Sequence, residues 1–316
     1  MSGTQWTVSA DEQALRLDKF LAAGDRLASR AQAVRALERG KVYVNGSEAS
    51  LSDAGLRLAI GDVVRVWQDR PGSAKPRPRT GQIGDLDIVY EDDALLVVNK
   101  PPGILSVPLE RNPGVPSVHA LIARRLRSHG KRKPFVVHRI DQDTSGLVVF
   151  AKNEDVQSRL KAQFKKRQPE RVYLAIVYGH PKPPAGTWRD ALVWDEKALI
   201  QKQTHPRDPR GTEAISHYRT VEAFRDAALI EVRLGTGRRN QIRIQARLRG
   251  HTLIGEQRYV YGPDVLRPIA FGRQALHAAR LILRHPLTDR PLTLEAPLPA
   301  DLSDLLSRLR REHKAR

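Results

Sequence analysis

The chain has 316 residues, 40% hydrophobic and 28% charged, enough for two or three globular domains with a sizeable core. Lys and Arg number 54 against 35 Asp and Glu, a formal net charge of +19 that exceeds what solubility needs, so the expected partner is a polyanion and first of all nucleic acid. Cysteine is absent, which excludes disulfides and thiolate chemistry, and the N-terminus lacks a secretory pattern while apolar runs such as LLVVN and LVVFA are too short to span a bilayer, so the chain is expected to be cytoplasmic with no membrane partner.

Taken in chain order, residues 1–70 form a first module. LDKFLAAG predicts a helix over 17–24 with Gly24 as its C-cap. Ser29 is the expected N-cap of a second helix, RAQAVRALERG, ending at Gly40. VYVNG then gives a strand turned by Asn45-Gly46, and IGDVVRVW completes the module. This module carries ten Lys plus Arg against nine Asp plus Glu, so it is close to neutral overall, yet Arg26, Arg30, Arg35, Arg39 and Lys41 crowd around the second helix.

Residues 71–82 combine Pro71, Pro76 and Pro78 with Gly72, Gly81 and basic residues, and hold too little apolar surface to fold. They read as a basic, extended linker. The body, 83–300, carries most of the charge surplus. LDIVYED and LLVVNKPPG read as paired strands, VHALIARRLRSHG as an amphipathic helix, LVVFAKN as a buried strand, and EDVQSRLKAQFKKRQ as a helix with a basic face. VYLAIVYG, HYRTVEAF, ALIEVRLG and PLTLEAPLP are further strands. Residues 301–316 are expected as a basic C-terminal tail. Many strands joined by short turns, with few helices, argue for a mixed, largely antiparallel sheet with flanking helices, an α+β class.

The small module, over roughly 15–67, resembles the αL-motif RNA-binding domain found in a small-subunit ribosomal protein, carried by RLDKFLA and SRAQAVRALERGKVYVNG. That resemblance implies that Arg30 and Arg35 face an RNA backbone.

The segment HRIDQDTSGLVVFAKN, 138–153, carries the chemistry, and three readings compete for it. A calcium loop would place Asp141, Asp143, Ser145 and Gly146 at positions 1, 3, 5 and 6, but position 12 is then Lys152 where a bidentate Glu is required. A kinase catalytic loop fails because Ile140 separates His-Arg from Asp and neither a glycine-rich loop nor Asp-Phe-Gly is present. What remains is a carboxylate on an irregular loop fixed by the following strand.

HRIDQDTSG closely resembles the HRLDxxTSG signature of RluA-type pseudouridine synthases. VVNKPPGILSVP is similar to that family's Lys-Pro-Pro-Gly strand and turn, VYLAIVYG to its tyrosine-bearing strand, and TGRRNQIRIQ (236–245) to its Gly-Arg, Gln-Ile-Arg strand; LHAARLILRHPLT and LEAPLP close the domain in the same order. The resemblance spans about 86–300. It implies a pseudouridine synthase fold and a cofactor-free, metal-free isomerase acting on structured RNA, with ribosomal RNA favoured over transfer RNA; apart from the resemblance, a monomer is the expectation. By the same resemblance Asp141 is the catalytic carboxylate, Arg243 its cationic partner and Tyr173 the residue against the uracil. Arg139 fills the space left by a flipped base, and the helix bearing Lys161, Lys165, Lys166 and Arg167 holds phosphates, with Arg308, Arg310, Arg311 and Lys314 in the tail as further candidates.

The chemistry asks for a carboxylate beside the anomeric carbon, acting either as nucleophile or as a base that yields a glycal. Both routes stand open at the level of sequence. A guanidinium nearby offsets the rise in carboxylate pKa that burial causes. Three positions depart from the family pattern: Arg239, Asn240 and Gln245 stand where Thr, His and His are usual, and GEQRYVYG replaces an acidic residue followed by Tyr-Gly. Asn240 and Gln245 can hydrogen-bond but cannot be protonated. The rival function is a non-enzymatic ribosome-binding or assembly factor that keeps the fold; a glycosidase, which needs paired acids, fits less well.

Overall fold

A computed structural model of the chain describes residues 3–68, 79–83, 86–109, 114–128, 133–259 and 268–314. The chain divides into two compact units, Met1–Arg79 and Thr80–Arg316. The linker expected over 71–82 lies largely outside the described residues; its end, Arg79–Ile83, is strand.

The first unit contains strands β1 (Gly3–Thr7), β2 (Val42–Val44), β3 (Ser47–Ala49) and β4 (Val63–Trp67) and helices α1 (Leu17–Leu21) and α2 (Arg30–Glu38). The strands form an antiparallel sheet in the order β1-β4-β2-β3. The two-residue connection of β2 to β3 works because Asn45 and Gly46 both take positive φ, 50° and 79°, as the Asn-Gly pair requires. Leu17, Phe20 and Leu21 of α1 meet Ala33, Ala36 and Leu37 of α2 over Val42, Val64 and Val66, the apolar side of the sheet. The first helix is shorter than its sequence pattern: it ends at Leu21, and Ala22 rather than Gly24 is the C-cap.

Ser29 caps α2, its Oγ accepting from the Gln32 amide at 3.2 Å. Replacing Ser29 with Ala is expected to destabilise this unit by about 1 kcal/mol in urea unfolding. A midpoint equal to wild type would show that the cap contributes nothing there.

The second unit contains β5 (Arg79–Ile83), β6 (Leu86–Glu91), β7 (Leu95–Lys100), α3 (Val118–Ser128), β8 (Phe135–Val136), β9 (Ser145–Ala151), α4 (Glu154–Lys165), β10 (Glu170–Tyr178) and β11 (Ala185–Asp195). It continues with β12 (Ile200–Gln203), β13 (Thr212–Ala223), β14 (Ala227–Leu234), α5 (Gln241–Leu248), β15 (Leu276–Arg284), β16 (Pro291–Glu295) and α6 (Ala300–Lys314). These strands make one sheet in the order β12-β11-β13-β14-β10-β15-β9-β7-β6-β5, with β16 beside β15 and β8 beside β9. The β9–β15 pair is parallel; the other pairings described are antiparallel.

Alternation along the strands builds two cores. Leu96, Val98, Val148 and Phe150 point to one face, where they meet Val118 and Ile122 of α3 and Ile242 and Ala246 of α5. Their neighbours Leu95, Val97, Leu147 and Val149 point to the other, against Val156 and Leu160 of α4. Because helices cover both faces, β9 is buried at all seven residues. Residues 301–316, expected as a basic tail, instead belong almost wholly to α6. Leu302, Leu305, Leu306 and Leu309 recur at helical spacing and are buried against Ile176 and Leu229.

A second correction concerns 236–245, expected as a strand. From Gln241 the chain is the helix α5. The alternating isoleucines Ile242 and Ile244 mimic a strand period. The governing spacing is i, i+4: Ile242 and Ala246 reach one core, while Gln241 and Gln245 both bond Ser216 on β13.

Candidate active site

Asp141 lies on the irregular segment that enters β9, and backbone contacts fix that segment on several sides. The Ser106 hydroxyl donates to the Ile140 carbonyl at 2.8 Å and accepts from the Ile140 amide at 3.2 Å. The Gly103 amide donates to the Gln142 carbonyl at 3.0 Å, and Gln142 Nε2 donates back to the Gly103 carbonyl at 3.0 Å. Arg273 Nη1 donates to the Asp143 carbonyl at 3.0 Å, with its guanidinium held by Asp301 at 2.7 and 2.9 Å.

The residues of HRIDQDTSG now acquire individual reasons. His138 Nε2 accepts the Val149 amide at 3.1 Å and its ring stacks on Phe164, so the side chain is a neutral acceptor; burial, with Arg171 adding to it, pushes its pKa down to about 3. Ser145 Oγ pairs with His277 Nδ1 at 3.0 Å. Gly146 has φ +112°, and a Cβ there would lie 2.3 Å from the Ala278 carbonyl oxygen of β15, so only glycine allows the strands to meet.

Lys100, the lysine of the Lys-Pro-Pro-Gly turn, is fully buried. Its Nζ donates to the carbonyls of Pro101, Ile104 and Gln142 at 2.8, 2.8 and 2.6 Å, three acceptors for the three protons of an ammonium. Burial pushes its pKa down to about 7, with Asp143 and Asp141 opposing and Arg273 reinforcing the drop. Between about pH 7 and the ordinary value of 10.5, the unfolded chain holds a proton that the folded chain has released. Stability is therefore expected to rise with pH across that window in wild type, and the rise should vanish in Lys100→Met. Urea unfolding across the window checks this; parallel pH curves for the two proteins would refute it.

The carboxylate itself is held from one side. Arg243 Nη1 donates to Asp141 Oδ2 at 3.1 Å and Asn240 Nδ2 donates to the same oxygen at 2.9 Å. Among the described residues, Oδ1 takes no hydrogen bond. Arg243 is aimed by Glu256, whose side chain is fully buried and accepts Nε at 2.7 Å and Nη2 at 2.6 Å. Glu256 also receives the amides of Arg258 and Tyr259 at 2.8 and 3.2 Å. Burial opposes the charge on both partners, but their mutual hydrogen bonds outweigh it: Glu256 titrates below the usual carboxylate range and Arg243 above its ordinary value.

Asn240 has φ 53° and ψ 24°, a left-handed conformation that asparagine tolerates, and this turn starts α5. Its Oδ1 is buried and, among the described residues, has no hydrogen-bond partner. Gln245 has a different function. It is buried on the far turn of α5, accepting from Ser216 Oγ at 2.7 Å and donating to Asp190 at 2.7 Å and to the Ala214 carbonyl at 3.1 Å. The two departures from the family's histidines thus separate: Asn240 touches Asp141, and Gln245 ties the helix to the sheet.

Asp141, Asn240 and Arg243 line a cavity of about 740 Å³ together with Arg139, Arg239 and Arg258. That volume suits a small-molecule-sized group such as a nucleoside with its phosphates. Tyr173, 9% exposed on β10, closes a smaller adjoining space of about 70 Å³ with Asp141 and Arg139. Burial raises the Tyr173 phenol to about 12, with Arg171 lowering it and Asp141 raising it further, so it is protonated at neutral pH.

The other residues named from sequence do not line this cavity. Lys165 and Lys166 are exposed at the C-terminal end of α4, with Lys161 and Arg167 exposed beside them. Arg30 is tied to the buried Asp18 at 2.7 Å, and Arg35 donates to the Ala31 carbonyl within its own helix at 3.3 Å. Arg308 donates to the Ala270 carbonyl at 2.7 Å and Arg310 pairs with Glu222, so both serve to dock α6. Sequence reasoning missed Glu256 and Lys100 as parts of the site. Both stood inside quoted motifs, GEQRYVYG and NKPPG, and an ionisable residue at a position destined for burial was the signal available.

Comparison with known proteins agrees with this architecture. The family model described as RNA pseudouridylate synthase matches residues 94–248, and the S4 domain model matches 15–64. An RNA pseudouridine synthase of Bacillus subtilis is 37% identical over 96% of this chain and 97% of its own length. The ribosomal large subunit pseudouridine synthase D of Zymomonas mobilis is 36% identical over 98% of each chain. Among solved structures, human RNA pseudouridylate synthase domain containing 4 shares the fold, with a TM-score of 0.58 at 23% identity over 71% of this chain and 92% of that one.

Proposed function

This chain belongs to the RNA pseudouridylate synthase family, and on that premise we propose that it isomerises specific uridines of large-subunit ribosomal RNA, with Asp141 as the catalytic carboxylate. The observation that carries this reading is the divided carboxylate: Oδ2 is held by Arg243 and Asn240, while Oδ1 is left for a substrate atom beside a cavity rimmed by arginines. The ribosomal substrate is favoured by the names of relatives that align over nearly the whole chain, and by an RNA-binding small domain that suits a large structured RNA.

In the reaction the bond between ribose C1′ and uracil N1 breaks, the base turns, and C1′ bonds to C5; N1 gains a proton and C5 releases one. Asp141 either attacks C1′ or takes the C2′ proton, and in each case Arg243 holds Oδ2 and so orients the carboxylate. A uracil stacked in a helix is out of reach of a carboxylate that lines a cavity, so the target base flips out at a cost of a few kcal/mol. Arg139, exposed at the rim of the cavity, takes the vacated space. Tyr173, a phenol at neutral pH, packs against the uracil and can hand on a proton but is not a ready base. Lys165 and Lys166 on α4, and Arg35 on the small domain, meet phosphates; Arg30 contributes through the Asp18 pair that holds it on that surface.

The test is tritium release from RNA labelled at uracil C5 and isolated from cells that lack this protein, with ribosomal and transfer RNA assayed separately. Release from the large-subunit ribosomal RNA is the expected result. Release from transfer RNA alone would overturn the substrate assignment. Intact RNA binding with no release from either pool would favour a ribosome-binding factor that keeps the fold.

A further inference from the structure

Arg239 is exposed, and its guanidinium lies 3.9 Å from the centroid of the Trp194 ring on β11. Stacking of this kind holds the cation flat and restricts its rotamers, which an exposed arginine otherwise samples freely. It lines the same cavity as Asp141, together with Arg139 and Arg258. Arg258 is anchored by its amide to Glu256 at 2.8 Å and by Nη1 to the Leu199 carbonyl at 3.3 Å, in the turn between β11 and β12. Among the described residues, neither Arg139 nor Arg239 has a carboxylate within ion-pair distance. Of the two carboxylates that line the cavity, Asp141, whose charge reaches Arg239 without pairing with it, already has Oδ2 committed to Arg243 and Asn240. Burial first, then the like charges of Arg139 and Arg258, hold the Arg239 pKa below its ordinary value. A cluster of guanidiniums that repel one another around an opening, with one locked on an aromatic ring, lacks an anion.

We propose that Arg239, braced by Trp194 and assisted by Arg258, binds a phosphodiester of the RNA adjoining the target uridine. This rests on the reading of the cavity as the uridine site and extends it. The planar guanidinium presents paired donors to phosphate oxygens, and the hairpin β11–β12 acts as the support that sets its distance from Asp141. Arg239 stands where the family pattern has a threonine, so this anchor lies outside that pattern. Arg139 differs in role: it lacks an aromatic support among the described residues and is free to follow the flipped base.

Filter binding and turnover of ribosomal RNA from cells lacking the protein, each measured against salt concentration, test the assignment. For Arg239→Gln the slope of log affinity against log salt should become shallower by about one, the signature of one lost phosphate contact, and the loss should fall on KM rather than on kcat. Arg239→Lys should restore the slope. Trp194→Leu, which keeps the arginine but removes its support, should raise KM by about threefold to tenfold, the scale of a cation–π contact. An unchanged slope in Arg239→Gln, or a loss confined to kcat, would overturn the proposal. Should the RNA bind without being turned over, the uridine-site reading fails, and the binding slope still decides whether Arg239 holds a phosphate.

Discussion

Asp141→Asn should reduce tritium release by about 10⁴-fold or more, the scale on which enzymes lose rate when the attacking group is removed. Asparagine keeps the size of the side chain and can still accept from Arg243 Nη1, so RNA affinity and thermal stability should stay close to wild type. What disappears is the charge on the oxygen that faces the cavity, and with it both a nucleophile for C1′ and a base for the C2′ proton. Asp141→Glu keeps the charge but moves it by one methylene. It should retain a small residual rate, because a displacement of about 1 Å costs on the order of 10²-fold in a positioned reaction. A full rate in Asp141→Asn would remove Asp141 from the chemistry altogether.

Glu256→Ala should be the most damaging substitution for stability. It removes the carboxylate that accepts two hydrogen bonds from Arg243 and leaves a buried guanidinium with Asp141 as its remaining anion. Breaking a buried pair by deleting one partner costs about 3–5 kcal/mol, which urea unfolding would register directly. The rate should fall as well, since Arg243 is no longer aimed at Asp141 Oδ2. Glu256→Gln should be milder in stability yet still slow the reaction. The sign with pH follows from the depressed Glu256 pKa: its contribution is complete above the ordinary carboxylate range and is lost as pH falls through the lower folded value. Wild type and Glu256→Ala should therefore converge in stability under acid. A variant that unfolds at the wild-type urea concentration at neutral pH would mean that Arg243 is held by something else.

Much of this site could be read from HRIDQDTSG, because each residue there answers a local geometric demand. His138 accepts an amide from the strand it precedes, and Gly146 is required where β15 passes. Arg139 and the Asp141 carboxylate are left to face the cavity. Strands that read as short continuous apolar runs, such as β7 and β10, were equally legible. Less was visible where tertiary partners decide. Ile242 and Ile244 alternate like a strand, yet two glutamines one helical turn apart, both reaching Ser216, make the segment a helix. The β11–β12 hairpin carries no periodic apolar signature of its own, and with it Trp194 went unnoticed as a support. Leu302, Leu305, Leu306 and Leu309 in α6 do have helical spacing, but the basic residues among them drew the reading toward a tail.

The short parallel contact between β9 and β15 bears on how the enzyme comes into being. It joins Ser145 to His277 and Gly146 to Ala278 across more than a hundred residues of intervening chain, and Asp141 and Arg243 are themselves 102 positions apart. Closing loops of that size is paid in chain entropy before any contact returns it, so these pairings form late in folding. Arg273, which holds the Asp143 carbonyl, in turn waits for Asp301 at the start of α6. The site therefore draws on residues spread from Lys100 to Asp301, and its chemistry exists only once these long-range contacts have closed.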